Sequence, residues 1–267
     1  MNNIIESLDN QKIKEVRLLH KKKYRINLRK YFIEGKRIVD EAILHGAKIE
    51  RIIISSSYSW DKEYLDTISG SKLKNVELLT VTEKVFRSIA KTESPQGIIA
   101  VVHKEERSLE KTLNKLPREP FIITLENIQD PGNMGTIIRT AEAARADLII
   151  ITKNSTDPYG EKALRSSMGA IFMIPIVEVI GMEWIPLFKK HAIRLIATDL
   201  SARKSFVELD YSGGINLIIG NEGHGISKEL LSLADEKTVI PIYGNIESLN
   251  ASIASGILIY KAREKRK

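Results

Sequence analysis

Residues 127–139 have the sequence Asn-Ile-Gln-Asp-Pro-Gly-Asn-Met-Gly-Thr-Ile-Ile-Arg, and this stretch is the strongest single indication of the fold. A strand-like apolar run at 121–125 leads into it, and a helix-compatible run at 137–144 follows it. Such a junction exposes backbone N–H groups at a helix start, where anions bind. Arg139 lies in the first turns of the predicted helix and can present a forked donor to a phosphate. The same residues also suit an ordinary turn, because Asp-Pro-Gly-Asn favours turns.

Two later segments favour the functional interpretation. Residues 217–227 read Leu-Ile-Ile-Gly-Asn-Glu-Gly-His-Gly-Ile-Ser, and residues 240–254 read Ile-Pro-Ile-Tyr-Gly-Asn-Ile-Glu-Ser-Leu-Asn-Ala-Ser-Ile-Ala. In this order and spacing, the three segments resemble the signature motifs of the SpoU (TrmH) family of RNA ribose 2′-O-methyltransferases, within the SPOUT superfamily. The resemblance covers about residues 119–263. Three long motifs in register are much more specific than any one of them.

The C-terminal part of the chain is predicted to be an α/β domain with a parallel sheet, because strand-like and helix-like runs alternate along it. The predicted strands are 121–125, 147–151, 172–177, 193–198, 215–219 and 237–240. The predicted helices are 134–144, 160–168, 183–190, 227–234 and 250–264. The family resemblance further implies a deep trefoil knot in about residues 195–260. A dinucleotide-binding fold is disfavoured, since no Gly-x-Gly-x-x-Gly follows the first strand.

Residues 1–106 are predicted to form a smaller, basic α/β domain, joined by a linker at 107–118 to a methyltransferase domain at 119–267. The first domain resembles the RNA substrate-binding domain that precedes the catalytic domain in several SpoU enzymes. Its predicted strands are 31–33, 52–54, 76–81 and 97–102, its predicted helices are 10–23, 36–45, 61–69 and 82–90, and a loop is predicted at 25–30.

The excess positive charge lies in the N-terminal part. Residues 1–118 hold 24 Lys and Arg against 16 Asp and Glu, whereas the remainder holds 17 against 18. Residues 12–37 alone hold 11 basic and two acidic side chains. A block of this density predicts contacts with nucleic-acid phosphates, although a solvated helix face gives the same pattern. The predicted RNA-binding residues are Lys21, Lys22, Lys23, Arg25, Arg29 and Lys30.

Composition excludes several classes of protein. The chain has no cysteine, so disulfides and thiolate metal sites are excluded, and its five scattered histidines do not suggest zinc. No apolar run approaches the roughly 20 residues of a membrane span, and the first residues do not read as a signal peptide. We therefore expect a cytoplasmic protein that uses no metal.

The resemblance implies which residues bind the cofactor, S-adenosylmethionine. Gly220, Ile240 and Leu249 are the motif positions most closely tied to it. Gly225 belongs to the same glycine-rich loop, in which missing side chains let the backbone approach a ligand. Without the resemblance, Ile240 and Leu249 would be interpreted as core residues and the glycines as turn residues.

Five further motif positions are the catalytic candidates: Arg139, Asn133, Glu222, Ser248 and Asn250. Arg139 is expected to hold the phosphate next to the target ribose, because a guanidinium does not deprotonate in proteins and so does not act as a base. A structural salt bridge is its alternative role. Glu222 is expected to orient Arg139 or to accept a proton. Ser248 or Asn250 could instead cap the last helix.

The combined prediction is an enzyme that transfers a methyl group from S-adenosylmethionine to a ribose 2′-hydroxyl of structured RNA, acting as a homodimer. Ribosomal RNA is favoured, because a basic domain ahead of the catalytic unit suits a large folded RNA. The alternatives are a transfer-RNA 2′-O-methyltransferase and a non-catalytic RNA-binding protein on the same scaffold. The second alternative does not explain why all the polar motif residues are present.

Overall fold

The computed structural model describes residues 4–60, 63, 64, 66, 73 and 75–266. The chain divides into two compact units, Met1–Glu105 with Tyr159–Glu161, and Glu106–Pro158 with Lys162–Lys267. The first has a four-stranded sheet and the second a six-stranded sheet. Within the described residues, no helix is both long enough and apolar enough to cross a bilayer.

The sheet of the first unit has the strand order β1-β4-β2-β3. Its strands are β1 (Lys30–Glu34), β2 (Ile49–Ser55), β3 (Glu77–Val81) and β4 (Ile98–His103). Strands β1 and β2 both run antiparallel to β4, and β3 runs parallel to β2. The carboxyl ends of β1, β2 and β3 therefore lie at one end of this sheet, together with the start of β4.

The helices of the first unit are α1 (Gln11–Leu18), α2 (Lys22–Leu28), α3 (Lys36–Leu44) and α4 (Glu83–Ile89). Helices α1 and α4 bury apolar side chains such as Ile13, Val16 and Phe86 in one core with the sheet. The predicted strands and the predicted helices at 36–45 and 82–90 are confirmed. The predicted helix at 61–69 lies mostly outside the described residues.

The loop predicted at 25–30 is wrong, and so is the single helix predicted at 10–23. Helix α1 stops at Leu18, and α2 continues to Leu28, where Arg29 adopts a left-handed conformation with φ 53°. The seven residues of α2, all described, are at least partly exposed. A helix without a buried stripe has no apolar periodicity from which it could be predicted.

The sheet of the second unit is entirely parallel, with the strand order β10-β8-β9-β5-β6-β7. Its strands are β5 (Phe121–Leu125), β6 (Leu148–Thr152), β7 (Ile176–Val179), β8 (Arg194–Thr198), β9 (Ile215–Ile219) and β10 (Glu236–Thr238). Its helices are α5 (Leu109–Leu113), α6 (Pro131–Ala143), α7 (Glu161–Ser167), α8 (Ile185–Lys190), α9 (Lys228–Leu233) and α10 (Ala251–Lys265). The predicted parallel α/β class is confirmed, and the knot stays a prediction.

Two predicted boundaries in this unit are wrong. The strand predicted at 172–177 starts only at Ile176, because a 3-10 turn at Ala170–Phe172 precedes it. The helix predicted to begin at 134 begins at Pro131, because the Asp130 side chain accepts the N–H of Asn133 at 2.8 Å and caps the helix there. Arg139 consequently lies in the third turn of α6, further from the helix start than predicted.

Candidate functional site

The site begins where two neighbouring strands end. Strands β5 and β9 pair in register up to Leu125 and Ile219, so the loops that follow them start side by side. The connections that leave these two strands run to opposite sides of the sheet, from β5 to β6 and from β9 to β10. Ligands of open α/β sheets bind at such a point. The first and second motifs are these two loops. The third motif leads into α10, which packs against α6.

Glu222 joins the first two motifs. Its carboxylate accepts the backbone N–H groups of Gln129 and Asp130, both at 3.0 Å, and the side-chain N–H of Asn133 at 3.1 Å. Burial alone would raise the pKa of Glu222, but these three donors outweigh it and hold the pKa below its ordinary value. Glu222 is therefore ionised at neutral pH and is poorly suited to accept a proton.

A chain of side-chain amides extends this junction to the third motif. Asn250 donates from its Nδ2 to the Oδ1 of Asn133 at 3.1 Å, and Asn133 donates in turn to Glu222. The Oδ1 of Asn250 also accepts the backbone N–H of Ser252 at 2.9 Å, which caps α10. Asn250, and not Ser248, is thus the helix cap. All three motifs are tied together by side chains that the sequence identified as candidates.

Arg139 stands apart from this cluster. It is exposed on α6, and its side chain forms no hydrogen bond or ion pair with any other residue that the structure describes. The expected orientation by Glu222 is not found, because the partners of Glu222 are the three N–H groups described above. The alternative of a structural salt bridge is likewise not found in the described chain.

A cavity of about 360 Å³ lies between the second and third motifs. Its walls include the four residues predicted to bind the cofactor, Gly220, Gly225, Ile240 and Leu249. Glu222 and Ser248 also line it, and most of the remaining wall is apolar. This size and lining match the small-molecule sites of proteins, which measure roughly 300–1,000 Å³ and combine apolar walls with a few polar groups.

The glycine loop, which we define as residues 220–225, forms a closed turn. Asn221 and Gly225 exchange two backbone hydrogen bonds, of 3.0 and 2.9 Å, and Gly225 has a φ of +67°. A Cβ on Gly220 would lie only 2.3 Å from the carbonyl carbon of Gly225 and 2.4 Å from the nitrogen of Ile226. Glycine is therefore required at position 220 by a close backbone approach.

Sequence reasoning missed three residues that shape this site. Asn221 braces the glycine loop, since its Oδ1 accepts the N–H groups of Gly223 and His224 at 2.9 Å. Glu126 is only 3% exposed and accepts both the N–H and the hydroxyl of Ser227, at 2.8 and 2.6 Å. A carboxylate directly after a buried strand needs such partners, so its position was a usable signal.

The third missed residue is Asp130, the cap of α6. Its carboxylate forms an ion pair with Lys162 at 2.7 Å, and the N–H of Asn133 donates to it. The Lys162 and Asn133 donors hold the pKa of Asp130 below its ordinary value. Because Asn133 is the third residue of the capped helix, this capping also orients the amide that meets Glu222.

A second cavity of about 730 Å³, whose lining residues are mostly of polar type, borders the first. It shares residues 221–225 with the first cavity as a common wall. Its other walls come from the first motif and the loop after β6, and include Gln129, Asp130 and Asn154. The glycine loop therefore separates a cavity lined mostly by apolar residue types, which we name the apolar cavity, from one lined mostly by polar residue types, which we name the polar cavity.

The six residues predicted to bind RNA do not share one environment. Lys21, Lys22 and Lys23, which we name the lysine turn, are exposed where the chain leaves α1 and begins α2. Arg25 donates to the carbonyl of Leu19 at 2.8 Å, and Arg29 ends α2. This leaves the lysine turn as the most accessible part of the predicted block.

The structure does not support the predicted RNA contact of Lys30, because this side chain has internal partners. It is partly buried between two carboxylates, Glu15 at 2.9 Å and Glu50 at 2.6 Å. Burial alone would lower the pKa of Lys30, but the two carboxylates outweigh it and raise the pKa. An ammonium with two internal partners has a structural role, and we remove it from the proposed RNA contacts.

The role of Glu222 predicts a pH dependence. Its pKa in the folded protein lies below the ordinary value of 4.5, so its stabilising effect is fully present above that pH and is lost as the pH falls through the lowered pKa. The difference in free energy of unfolding between the wild-type protein and Glu222→Gln should therefore be largest near neutral pH and shrink on acidification. Urea unfolding from pH 7 to pH 3 measures this difference.

The matched control for that series is Glu229→Gln, which alters an exposed glutamate at the start of the neighbouring helix α9. This variant should unfold like the wild-type protein at every pH in the series. If the difference in free energy of unfolding between the wild-type protein and Glu222→Gln stays constant from pH 7 to pH 3, the ionised carboxylate of Glu222 does not stabilise the junction.

Comparisons with known proteins agree with this geometry. Residues 120–260 match the model of the SpoU rRNA Methylase family, and residues 10–100 match that of an MRM3-like substrate binding domain. A 23S rRNA (guanosine(2553)-2′-O)-methyltransferase of Bacillus subtilis is 34% identical, over 97% of this chain and 98% of its own length.

Solved structures that match nearly the whole chain are also similar. An AdoMet-bound rRNA methyltransferase from Sinorhizobium meliloti superposes with a TM-score of 0.89 at 30% identity, covering 99% of this chain and 98% of that one. The SpoU methyltransferase AviRb from Streptomyces viridochromogenes, in complex with AdoMet, superposes with a TM-score of 0.86 at 26% identity, covering 96% and 98%.

Proposed function

Because the chain belongs to the SpoU rRNA methylase family, whose members are S-adenosylmethionine-dependent RNA 2′-O-methyltransferases, we propose that it methylates a ribose 2′-hydroxyl of ribosomal RNA. The observation that carries this proposal is the hydrogen-bonded series Asn250–Asn133–Glu222, which joins all three motifs beside the apolar cavity. A scaffold without catalytic function would not need three polar side chains at this junction.

The apolar cavity fits S-adenosylmethionine, which supplies a methyl group as an electrophile when bound. Gly220 and Gly225 would offer backbone groups to it, and Ile240 and Leu249 would pack against its apolar parts. The ionised carboxylate of Glu222, in the same wall, is a favourable neighbour for a sulfonium cation. Within the described residues no group of three or more His, Asp and Glu could hold a metal ion, and the proposal includes none.

The protein residues then have separate tasks. The polar cavity on the other side of the glycine loop, whose walls include Gln129, Asp130 and Glu222, would receive the target nucleotide. Asn133, Asn250 and Ser248 would orient the hydroxyl by hydrogen bonds, while Arg139 would hold the adjacent phosphate through its forked donors. Glu222 keeps the junction in place and is not assigned a proton-accepting role.

Methylation assays with labelled S-adenosylmethionine test the function directly. Purified protein is incubated separately with ribosomal RNA and with transfer RNA, and 2′-O-methylated nucleotides are mapped. We expect label at a ribose of ribosomal RNA, at a position that is unmodified in RNA from cells lacking the gene. Label confined to transfer RNA would favour the alternative substrate. Cofactor binding without label in any RNA would favour the non-catalytic RNA-binding alternative.

The lysine turn leads to a prediction about RNA affinity. We expect the double variant Lys21→Glu with Lys23→Glu to bind ribosomal RNA fragments more weakly and with a shallower dependence on salt. Each lost phosphate contact should reduce the slope of log K against log salt concentration by roughly 0.7 to 0.9. Filter binding over a salt series measures both quantities.

The control makes the same change of net charge elsewhere. Lys189→Glu with Lys190→Glu reverses two exposed lysines at the end of α8, in the second unit. If this control loses as much affinity and slope as the lysine-turn variant, net charge rather than the turn determines RNA binding.

We further propose that the enzyme is a homodimer in the cytoplasm, the compartment in which a ribosomal RNA substrate would be met. Ile253 and Tyr260 are exposed on α10, by 57% and 54%, and lie seven residues apart on one helix face. An apolar stripe of this kind supports a contact with a second copy. Sedimentation of Ile253→Asp should show a shift towards monomer, and an unchanged dimer would exclude this face.

A further inference from the structure

Three aromatic side chains after β2 form a stacked series in the first unit, which we name the aromatic ladder: Tyr58, Trp60 and Tyr64. The ring centres of Tyr58 and Trp60 are 6.2 Å apart with planes at 25°, and those of Trp60 and Tyr64 are 5.2 Å apart with planes at 26°. Exposure decreases along the ladder, because Tyr58 is 43% exposed, Trp60 is partly exposed and Tyr64 is 8% exposed. Tyr58 and part of Trp60 are therefore accessible to a ligand, whereas Tyr64 is buried.

The two end rings are held in place by hydrogen bonds. The hydroxyl of Tyr58 donates to the carbonyl of Pro95, and that of Tyr64 donates to Asp40 at 2.9 Å. Gly97 lies directly against the Tyr58 ring, since a Cβ there would come within 2.4 Å of it. The indole N–H of Trp60, by contrast, has no acceptor in the described part of the chain. The middle ring stacks between its two neighbours.

Two cationic side chains lie next to the inner end of the ladder. The ammonium of Lys36 lies 4.2 Å from the centre of the Tyr64 ring and also pairs with Asp40 at 2.8 Å. The neighbouring Arg37 is exposed without an ion pair to any described residue. Lys36 starts α3 directly after β1, and the ladder follows β2, so both lie at the same end of the sheet. Strands β1 and β2 are separated only by β4, or about 10 Å.

The lysine turn reaches the same end of the sheet. His20, which precedes it, has its Nε2 3.0 Å from the carbonyl of Ile89. Two residues later, the N–H of Lys91 donates to Glu34, at the carboxyl end of β1, at 2.7 Å. Exposed aromatic rings and a concentration of cations thus occupy one end of this unit.

We propose that the aromatic ladder is a stacking site for an unpaired base of the substrate RNA. This inference rests on the proposed RNA substrate and adds the kind of RNA segment that the first unit binds. Cations attract the phosphates of paired and unpaired RNA alike, whereas only an unpaired base can place its face on an aromatic ring. The combination of rings and cations therefore selects single-stranded loops or bulges over continuous duplex.

The chain contains only two tryptophans, which makes the proposal testable by fluorescence. Trp184 is 2% exposed in the core of the second unit, so Trp184→Phe leaves Trp60 as the single reporter. Its emission should be quenched by a single-stranded oligouridylate and much less by duplex RNA of the same length and concentration. The matched variant Trp60→Phe, which reports from Trp184, should show no quenching with either RNA.

A binding measurement separates stacking from mere proximity. Trp60→Ala removes the ring that supports Tyr58, the most exposed ring of the ladder, and should bind the oligouridylate roughly 5- to 100-fold more weakly, the range expected for losing one base–aromatic stack. Trp60→Phe keeps a ring between the two tyrosines and should retain most of the affinity. Binding of duplex RNA should change little in either variant. S-adenosylmethionine affinity of Trp60→Ala, measured by calorimetry, checks that the second unit is intact.

The outcomes distinguish this proposal from the proposed function. If Trp60 emission does not respond to single strands, or responds equally to duplex, the ladder is structural and the proposal is overturned, even for a protein that methylates ribosomal RNA. A protein that methylates no RNA would overturn the proposed function, while quenching by single strands would still support the ladder. If Trp60→Ala does not fold, the Trp184→Phe measurement decides the question.

Discussion

Arg139→Gln is expected to reduce methyl transfer by about 100- to 1,000-fold, the usual effect of removing one positioned donor from a reaction centre. Its affinity for S-adenosylmethionine should stay near that of the wild-type protein, because Arg139 is exposed and does not line the apolar cavity. Stability should also be retained, since the side chain has no hydrogen-bonding or ion-pair partner in the described chain. Single-turnover methylation and calorimetry measure the two quantities separately.

The matched control is Arg145→Gln, directly after α6. Arg145 is also exposed and adopts a left-handed φ of 54°, in which glutamine is no more strained than arginine. This variant removes one positive charge from the same helix end and should methylate normally. If Arg139→Gln remains active, or loses cofactor affinity in proportion to rate, Arg139 does not hold the RNA phosphate.

Gly220→Ala is expected to have the largest effect on cofactor binding. The added methyl group would overlap the backbone of Gly225 and Ile226, at 2.3 and 2.4 Å, so the glycine loop must open. Such overpacking typically costs about 1–3 kcal/mol, and a displaced wall should weaken S-adenosylmethionine binding by up to about 100-fold. Calorimetric titration of the purified variant measures this loss.

Gly223→Ala provides the control within the same loop. A Cβ at position 223 would have only the Oδ1 of Asn221 nearby, at an ordinary contact distance of 3.7 Å. This variant should bind the cofactor within a few-fold of the wild-type affinity. Equal losses in the two variants would show that any side chain in the loop blocks binding, and the specific close approach at Gly220 would not explain the result.

Much of the second unit was predictable because its strands are short, apolar and buried on both faces. All five residues of β5 and of β9 are buried, and polar motif residues follow each strand directly. Parallel strands bring their carboxyl ends together, so the meeting of Asn133 with Glu222 follows from strand adjacency. The individual site residues were indicated by the resemblance to the family, and their contacts with one another were not predicted.

The parts that were not predicted depend on individual side-chain partners. Helix α2 carries no buried stripe, and α6 gained a turn because Asp130 caps it. Lys30 reads as part of a basic run, yet it faces two carboxylates that lie 15 and 20 positions away in the chain. Glu222 was expected to meet Arg139 but meets three N–H groups instead. Such pairings are decided by packing, which periodicity and composition do not encode.

The amide series across the three motifs also has a consequence for biosynthesis. Asn250 meets Asn133 across 117 positions of the chain. A ribosome adds roughly 5–20 residues per second. Asn250 is therefore synthesised between about 6 and 23 s after Asn133. Contacts of such long sequence separation form late in folding. A nascent chain that ends before Asn250 therefore exposes the first two motifs without the third. We expect such a chain to be inactive until the residues at the start of α10 have been synthesised.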